Sequence, residues 1–206
     1  MDIVLMKLYI VSKPLNSSID DMLKVVGFDR KTAIAIVGSN LAEEDYCSRY
    51  LCLDTLNGFE ELAKNVVEII KRRGIRYVKL VLGDTDGLTS TAIYTMYMVF
   101  NTIELAIDLE IDPLNIVYDE ELIKLDFKPR LWLDLRDLEI LTRLDSCRAS
   151  RDIADILNIP SSSSRRRLFN MMRKGLIDIM YRGRKKIYCP TTLAKIFSYT
   201  LMQMFL

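Results

Sequence analysis

The nine residues "PSSSSRRRL", Pro160 to Leu168, decide how the chain is read, because they can be either a low-complexity linker or the leading end of a helix that grips a polyanion. On a wheel of 100° per residue, Ser164, Leu168, Met171 and Gly175 gather on one side. Ser163, Arg166, Arg167, Asn170 and Lys174 gather on the other. The segment is therefore patterned, and Ser161 or Ser162 can cap a helix start. Upstream, "RDLEILTRL" (Arg136 to Leu144) spaces Leu138, Leu141 and Leu144 as a helix does. "SRDIADILNI" follows, with Ser150 as a candidate N-cap, Asp152 in the first turn, Ile153, Ala154 and Leu157 on one face, and Pro160 as the stop. Two short helices joined by a tight turn, the second with a basic outer face, predict a helix-turn-helix.

Downstream, "KGLIDIMYRGRKKIYCP" (Lys174 to Pro190) alternates Ile177, Ile179 and Tyr181, turns at Arg182-Gly183, and alternates again through Ile187 and Cys189. That pattern predicts a hairpin with a cationic tip. The candidate DNA contacts are Ser162, Ser163, Arg165, Arg166, Arg167, Asn170 and Lys174 on the helix, with Arg182, Arg184, Lys185 and Lys186 on the hairpin. Cations of this kind hold phosphates and make affinity depend on salt. The run "TLAKIFSYTLMQMFL" is apolar on nearly every side from Leu193 onward, and a partner subunit is the expected cover.

The net charge of +1 over 206 residues conceals a division. Residues 1–129 carry 14 Lys+Arg against 21 Asp+Glu, a balance of −7, whereas residues 130–206 carry 15 against 7, a balance of +8. A basic module that meets a polyanion and an acidic module with another task are indicated. The boundaries read as a first domain over 1–119, a linker over 120–132 stiffened by Pro129, and a second domain over 133–206; Trp132 is the candidate relay between the domains.

Half the residues are apolar, enough for a sizeable core. No apolar run is long enough to span a membrane, and the first residues show neither a basic leader nor a cleavage site, so a cytoplasmic protein is expected. Histidine is absent and the four cysteines are scattered. Metal sites and His-based triads are thereby disfavoured, and no enzyme activity or catalytic residue is expected. Cys47, Cys52, Cys147 and Cys189 read as buried small hydrophobes, with disulfides an alternative in a hyperthermophile.

The first 119 residues alternate strand-like and helix-like runs. "KLYIVS", "TAIAIVG", "RYLCLD" and "YVKLVLG" read as strands, "IDDMLKVV", "GFEELAKNVVEIIKRRG" and "LTSTAIYTMYMVF" as helices, and "IELAIDL" and "NIVYD" as two closing strands. The fold class is α/β: a Rossmann-like, mostly parallel sheet of six strands with helices on both faces, followed by a small α+β winged helix-turn-helix domain. Ligands in such sheets sit beyond the carboxyl ends of the strands. Three loops lie there, and their candidates are Ser12, Lys13 and Asn16, then Gly38 and Ser39, then Gly83, Asp84, Thr85, Asp86, Gly87, Thr89 and Ser90. The glycines and the helix start of the last loop suit phosphate or ribose. No GxGxxG or GxxxxGKS motif occurs, which disfavours ordinary dinucleotide and P-loop chemistry.

The C-terminal third, with "EIL..L", "DIADILNI" and "KGLI", resembles winged helix-turn-helix regulators. With a Gly-Thr loop after the fourth strand and an apolar helix behind it, the whole chain resembles the archaeal regulators of the CRISPR-associated Rossmann fold (CARF) family. That resemblance implies a homodimer whose paired sensor domains hold a cyclic oligoadenylate, usually cyclic tetraadenylate, and so modulate DNA binding at CRISPR-associated promoters; no other cofactor is implied. The family loop is neutral, whereas here Asp84 and Asp86 bracket Thr85, which makes Lys13 the expected counter-charge. Two alternatives stand beside this reading: a ring nuclease that cleaves the cyclic ligand, and a ligand-independent dimeric DNA-binding protein.

Overall fold

A computed structural model describes residues 6–28, 32–41, 44–103, 109–118, 120–125, 131 and 133–205. The chain divides into two compact units, Met1–Arg130 and Leu131–Leu206.

In the first unit β1 (Met6–Ser12), α1 (Ile19–Val26), β2 (Thr32–Gly38), β3 (Leu51–Asp54), α2 (Phe59–Arg73), β4 (Ile75–Leu82), α3 (Gly87–Ile103), β5 (Glu110–Ile111), β6 (Leu114–Tyr118) and β7 (Glu121–Leu125) follow one another. The sheet runs β3-β2-β1-β4-β6-β7, with β5 also on β4. Its pairings are parallel except for β6 with β7. Strands β1, β2 and β4 are buried on both faces, which is why they read as continuous apolar runs.

Tyr9, Val11, Ile34, Ile36 and Val81 pack with Ile19, Met22, Leu23 and Val26 of α1. The alternate residues Leu8, Ile10 and Leu80 point the other way and are fully buried. Helix boundaries follow local chemistry. Ser18 accepts from the Asp21 amide at the start of α1, and Gly27, at φ 69°, ends it in the left-handed conformation. Lys79 interrupts β4 at only 7% exposure. Its ammonium reaches the Val26 carbonyl at the C-terminus of α1, 3.5 Å away, and lies 3.9 Å from Asp112, so the helix end and a carboxylate share the buried charge.

One expectation changes. The linker begins as a strand: β7 pairs with β6, so the sheet gains an antiparallel edge that the sequence reading leaves outside the domain. The strand expected over "IELAIDL" falls mostly on residues 104–108, outside the described residues, as do Pro129 and Trp132; the short strand next in the chain is β5 at Glu110–Ile111.

The second unit runs α4 (Leu135–Arg143), β8 (Arg148–Ala149), α5 (Ser150–Leu157), α6 (Ser161–Arg173), β9 (Ile177–Arg182), β10 (Lys185–Pro190) and α7 (Thr192–Phe205). This is the order of a winged helix-turn-helix. The small sheet is β8-β10-β9, antiparallel throughout, and Gly183 supplies the positive φ, 61°, that the tight hairpin turn needs. Ile140, Leu141, Ile153, Leu157, Leu168, Met171, Leu176, Ile177 and Phe197 form its core. Helix α7, expected to await a partner, buries Ala194, Ile196, Phe197 and Leu201 and packs against α4 of its own chain. The same helix leaves Met202 exposed.

All four cysteines are paired, Cys47 with Cys52 and Cys147 with Cys189, rather than standing as free buried thiols. Cys189 follows Tyr188 in β10 and Cys147 precedes Arg148 in β8, and Tyr188 and Arg148 are ladder partners. The bond thus continues the strand pairing and ties the wing to the segment leading into α5.

Candidate nucleic-acid interface and ligand loops

Helix α6 begins at Ser161 with Pro160 as its N-cap and no side-chain cap, so neither Ser161 nor Ser162 has the expected capping role; Ser150 likewise opens α5 rather than capping it. The buried member of the serine run is Ser164, at 0% exposure, whose hydroxyl donates to the Ser150 carbonyl at 3.0 Å. A small residue is required there, where α6 crosses the start of α5. Leu168 and Met171 continue the inner face.

The outer face is made of Ser162, Arg165, Arg166, Phe169, Asn170 and Arg173, all exposed, with Ser163 and Lys174 half-buried at its edges. Arg165, Arg166 and Arg173 make no ion pair among the described residues. At the wing, Arg182, Arg184, Lys185 and Lys186 are exposed, and Lys186 stacks over the Tyr188 ring at 5.4 Å. Arg165, Arg166 and Arg173 on the helix face and Arg182, Arg184 and Lys185 on the hairpin tip, without an ion-pair partner among the described residues, are an arrangement suited to phosphate backbone.

Arg167 does not belong to this face. Its Nη1 lies 2.7 Å from Asp134 and 2.8 Å from Asp137, and its side chain is 24% exposed. The guanidinium joins α6 to the capped start of α4, where the Asp137 amide donates to Asp134 at 2.9 Å. Burial pushes the Asp134 carboxyl up, but the bonds from Arg167 and from backbone amides outweigh it and leave the carboxyl below its ordinary value. Arg167 is raised correspondingly. Sequence reasoning places Arg167 outward because its partners lie about 30 residues upstream, beyond the reach of helical periodicity.

In the first unit, the chain steps outward from β1 to β2 and β3 and then returns to β4 on the other side of β1. The switch point of the sheet therefore lies at the carboxyl ends of β1 and β4, where the loops carrying Ser12 to Asn16 and Gly83 to Ser90 meet. These loops are tied together. The Gly83 amide donates to Ser12 Oγ at 2.8 Å, the Leu15 amide to the Asp84 carbonyl at 2.7 Å, and Asn16 Nδ2 to the Asp84 carboxylate.

Gly38 is needed for close packing of the protein on itself, and Gly83 lies against the end of the Met22 side chain. A Cβ at Gly38 would meet Lys13 Cβ at 2.5 Å, and one at Gly83 would meet Met22 Sδ at 2.8 Å. Gly87 has open space. Lys13 pairs with Glu44 and donates to the Ser39 carbonyl, so its charge is already answered.

Asp86 caps α3. Its carboxylate accepts from the Thr89 amide at 2.8 Å, the Thr89 hydroxyl at 2.7 Å and Ser39 Oγ at 3.2 Å. Burial raises its carboxyl, and these bonds, with that from the Leu88 amide, more than offset the effect, holding it below the ordinary carboxylate range. The α3 amides that sequence reasoning offers to a phosphate are thus turned to the chain's own carboxylate, and Thr89 is fully buried. Asp followed by a helical run is a capping signature that could have been found in the sequence. Thr85 Oγ1 is buried without a hydrogen-bond partner among the described residues, and Ser90 is half-buried, its amide donating to the Asp86 carbonyl at 2.9 Å. Beside these loops a cavity of about 650 Å³ is lined by Asn16, Asp21, Met22, Asp84, Tyr118 and Glu120, among others.

No protein-family model matches the chain, and no curated protein does. Among solved structures it is similar to MepR, a transcription regulator of the Staphylococcus aureus multidrug efflux pump MepA, at 22% identity over 36% of this chain and 58% of that one, with a TM-score of 0.34. It is also similar to ZitR of Lactococcus lactis in a complex with DNA, at 18% identity over 36% of this chain and 57% of that one, with a TM-score of 0.32. The chain thus spans less than two thirds of the length of either. Among the described residues no helix is long and apolar enough to cross a membrane, and no group of three or more acidic or cysteine side chains is placed to hold a metal ion.

Proposed function

We propose that this chain is a DNA-binding transcription regulator in which α6 and the β9–β10 wing hold double-stranded DNA and the first unit is a sensor and assembly domain. The single observation that carries this reading is the cluster of exposed cations, Arg165, Arg166 and Arg173 on one helix face and Arg182, Arg184 and Lys185 on one hairpin tip, that have no ion-pair partner among the described residues of a winged helix-turn-helix. Phosphate contacts of this type release counterions, so affinity falls steeply as salt rises. A band-shift titration of the full chain against duplex fragments from its own locus, repeated over a salt series, tests it. Retardation with a steep negative salt slope is the expected outcome; no retardation of any fragment defeats the proposal.

The active species is a homodimer. Helix α3 carries no charged residue in its 17, yet exposes Leu88, Thr91 and Tyr94, a face suited to a second copy. The ligand proposed on the family resemblance is a cyclic oligoadenylate such as cyclic tetraadenylate, controlling CRISPR-associated genes. The cavity beside the switch point, with Asn16, Asp84 and Glu120 as acceptors and Tyr118 as a stacking ring, suits ribose hydroxyls and adenine amino groups.

A second reading, that the first unit only assembles the dimer, is favoured by Asp86, which fills the helix start where a phosphate would otherwise sit. Thermal unfolding with and without cyclic tetraadenylate separates the two: a rise in Tm supports the sensor, and an unchanged Tm supports assembly alone.

A further inference from the structure

Leu168 and Met171 of α6 are fully buried, whereas Phe169, the intervening aromatic, is 50% exposed. At 100° per residue it falls on the outer face, between Arg165 on one side and Ser162, Arg173 and Arg166 on the other, toward the Arg165 edge. A surface that held phosphates alone would have no use for an apolar ring there. Single exposed apolar residues are common, and exposure by itself says little. The position says more: the ring stands among Arg165, Arg166 and Arg173 on the solvent face of the second helix of the motif, the element that in this class of fold lies in the major groove within reach of base edges. The apolar feature of those edges is the 5-methyl group of thymine.

We propose that Phe169 is a specificity-determining residue that packs on thymine methyl groups and so selects A·T pairs at the middle of the site. This rests on the DNA-binding reading above. Asn170, beside it and exposed, presents an amide that can pair with the N6 and N7 of the adenine opposite. The contact adds no charge, so it contributes to sequence choice and leaves the salt dependence alone.

The test uses the full chain and a duplex enriched from a randomised library, resynthesised with uracil in place of thymine at one position at a time, a change that removes the methyl and leaves the pairing edge intact. The native protein is expected to lose about fourfold in affinity for each contacted methyl, the value of one buried carbon group. Phe169→Ala loses a similar factor on the thymine duplex and becomes indifferent to uracil, with an unchanged salt slope. Phe169→Leu, which keeps an apolar contact, retains part of the discrimination. Because the ring is half in solvent, circular dichroism of the variants should match the native protein. If the native protein binds the duplex and ignores every uracil, or if Phe169→Ala keeps the native thymine-to-uracil ratio, this assignment is wrong while DNA binding stands. If the native protein enriches no duplex at all, the regulator reading fails and takes this one with it.

Discussion

The loops of the first unit and the outer face of α6 are both dense in charge, and they treat it in opposite ways. Lys13, Asp84 and Asp86 are each held by a side chain or amide of the same unit. Arg165, Arg166 and Arg173, and at the wing Arg182, Arg184 and Lys185, have no such partner among the described residues. Internal pairing stabilises the fold and leaves little for a ligand. Unpaired cations contribute little to the fold and remain free for a polyanion. The contrast separates charges that build the protein from charges that meet something else, and Arg167, paired with Asp134 and Asp137, shows that the boundary runs through a single arginine triplet.

The largest test of this contrast is charge reversal at Arg165, Arg166 and Lys185 together. Removing one phosphate contact should lower the salt slope by about one unit, so the triple variant is expected to show a slope shallower by roughly three and no measurable retardation at physiological salt. Thermal unfolding should be unaltered, since none of the three is paired. Next in size is removal of the Cys147–Cys189 bond by serine at both positions. It closes a separation of 42 residues, against 5 for Cys47–Cys52. On the chain-entropy account the first contributes about 4 kcal/mol and the second about 2 kcal/mol to stability, measured as the difference in denaturant unfolding.

Arg167→Met should cost about 1–3 kcal/mol, because it strands the nearly buried Asp137 without its partner. The same variant should bind DNA with an unchanged salt slope, the opposite signature to Arg166. Smallest is Asp86→Ala, expected to remove a helix cap and about 1 kcal/mol. Asp86 and Asp134 both have folded carboxyls below the ordinary value. Their contribution is therefore complete above about pH 4, where the unfolded groups are ionised, and is lost as pH falls through the lower folded values. An acid titration of native stability should show that loss, reduced in Asp86→Ala.

Much of the architecture is legible in the sequence because periodicity is a local property. The continuous apolar runs of β1, β2 and β4, the glycine ends of α1 and α2, the short helices of the second unit and the hairpin turn all announce themselves within a dozen residues. What stays hidden depends on distant partners or on competing readings. The ion pairs of Arg167 and the bond between Cys147 and Cys189 join residues far apart in the chain, so no window contains both ends. The strand β7 alternates weakly and sits among charges, which disguises it as a linker. Phe169 follows buried Leu168 directly, and helical phase near a face boundary turns on a single position. Asp86 reads as a repulsive charge until the start of α3 is known, since its role depends on that boundary.

In the second unit β10 is the middle strand, hydrogen-bonded to β9 on one side and β8 on the other, and joined through Cys189 to the segment that enters α5. The base of the hairpin is therefore tied to the segment that enters α5. On the proposed reading, a wing anchored at its base has less ordering entropy to lose on meeting a duplex, and a groove of the wrong geometry is expected to be released faster.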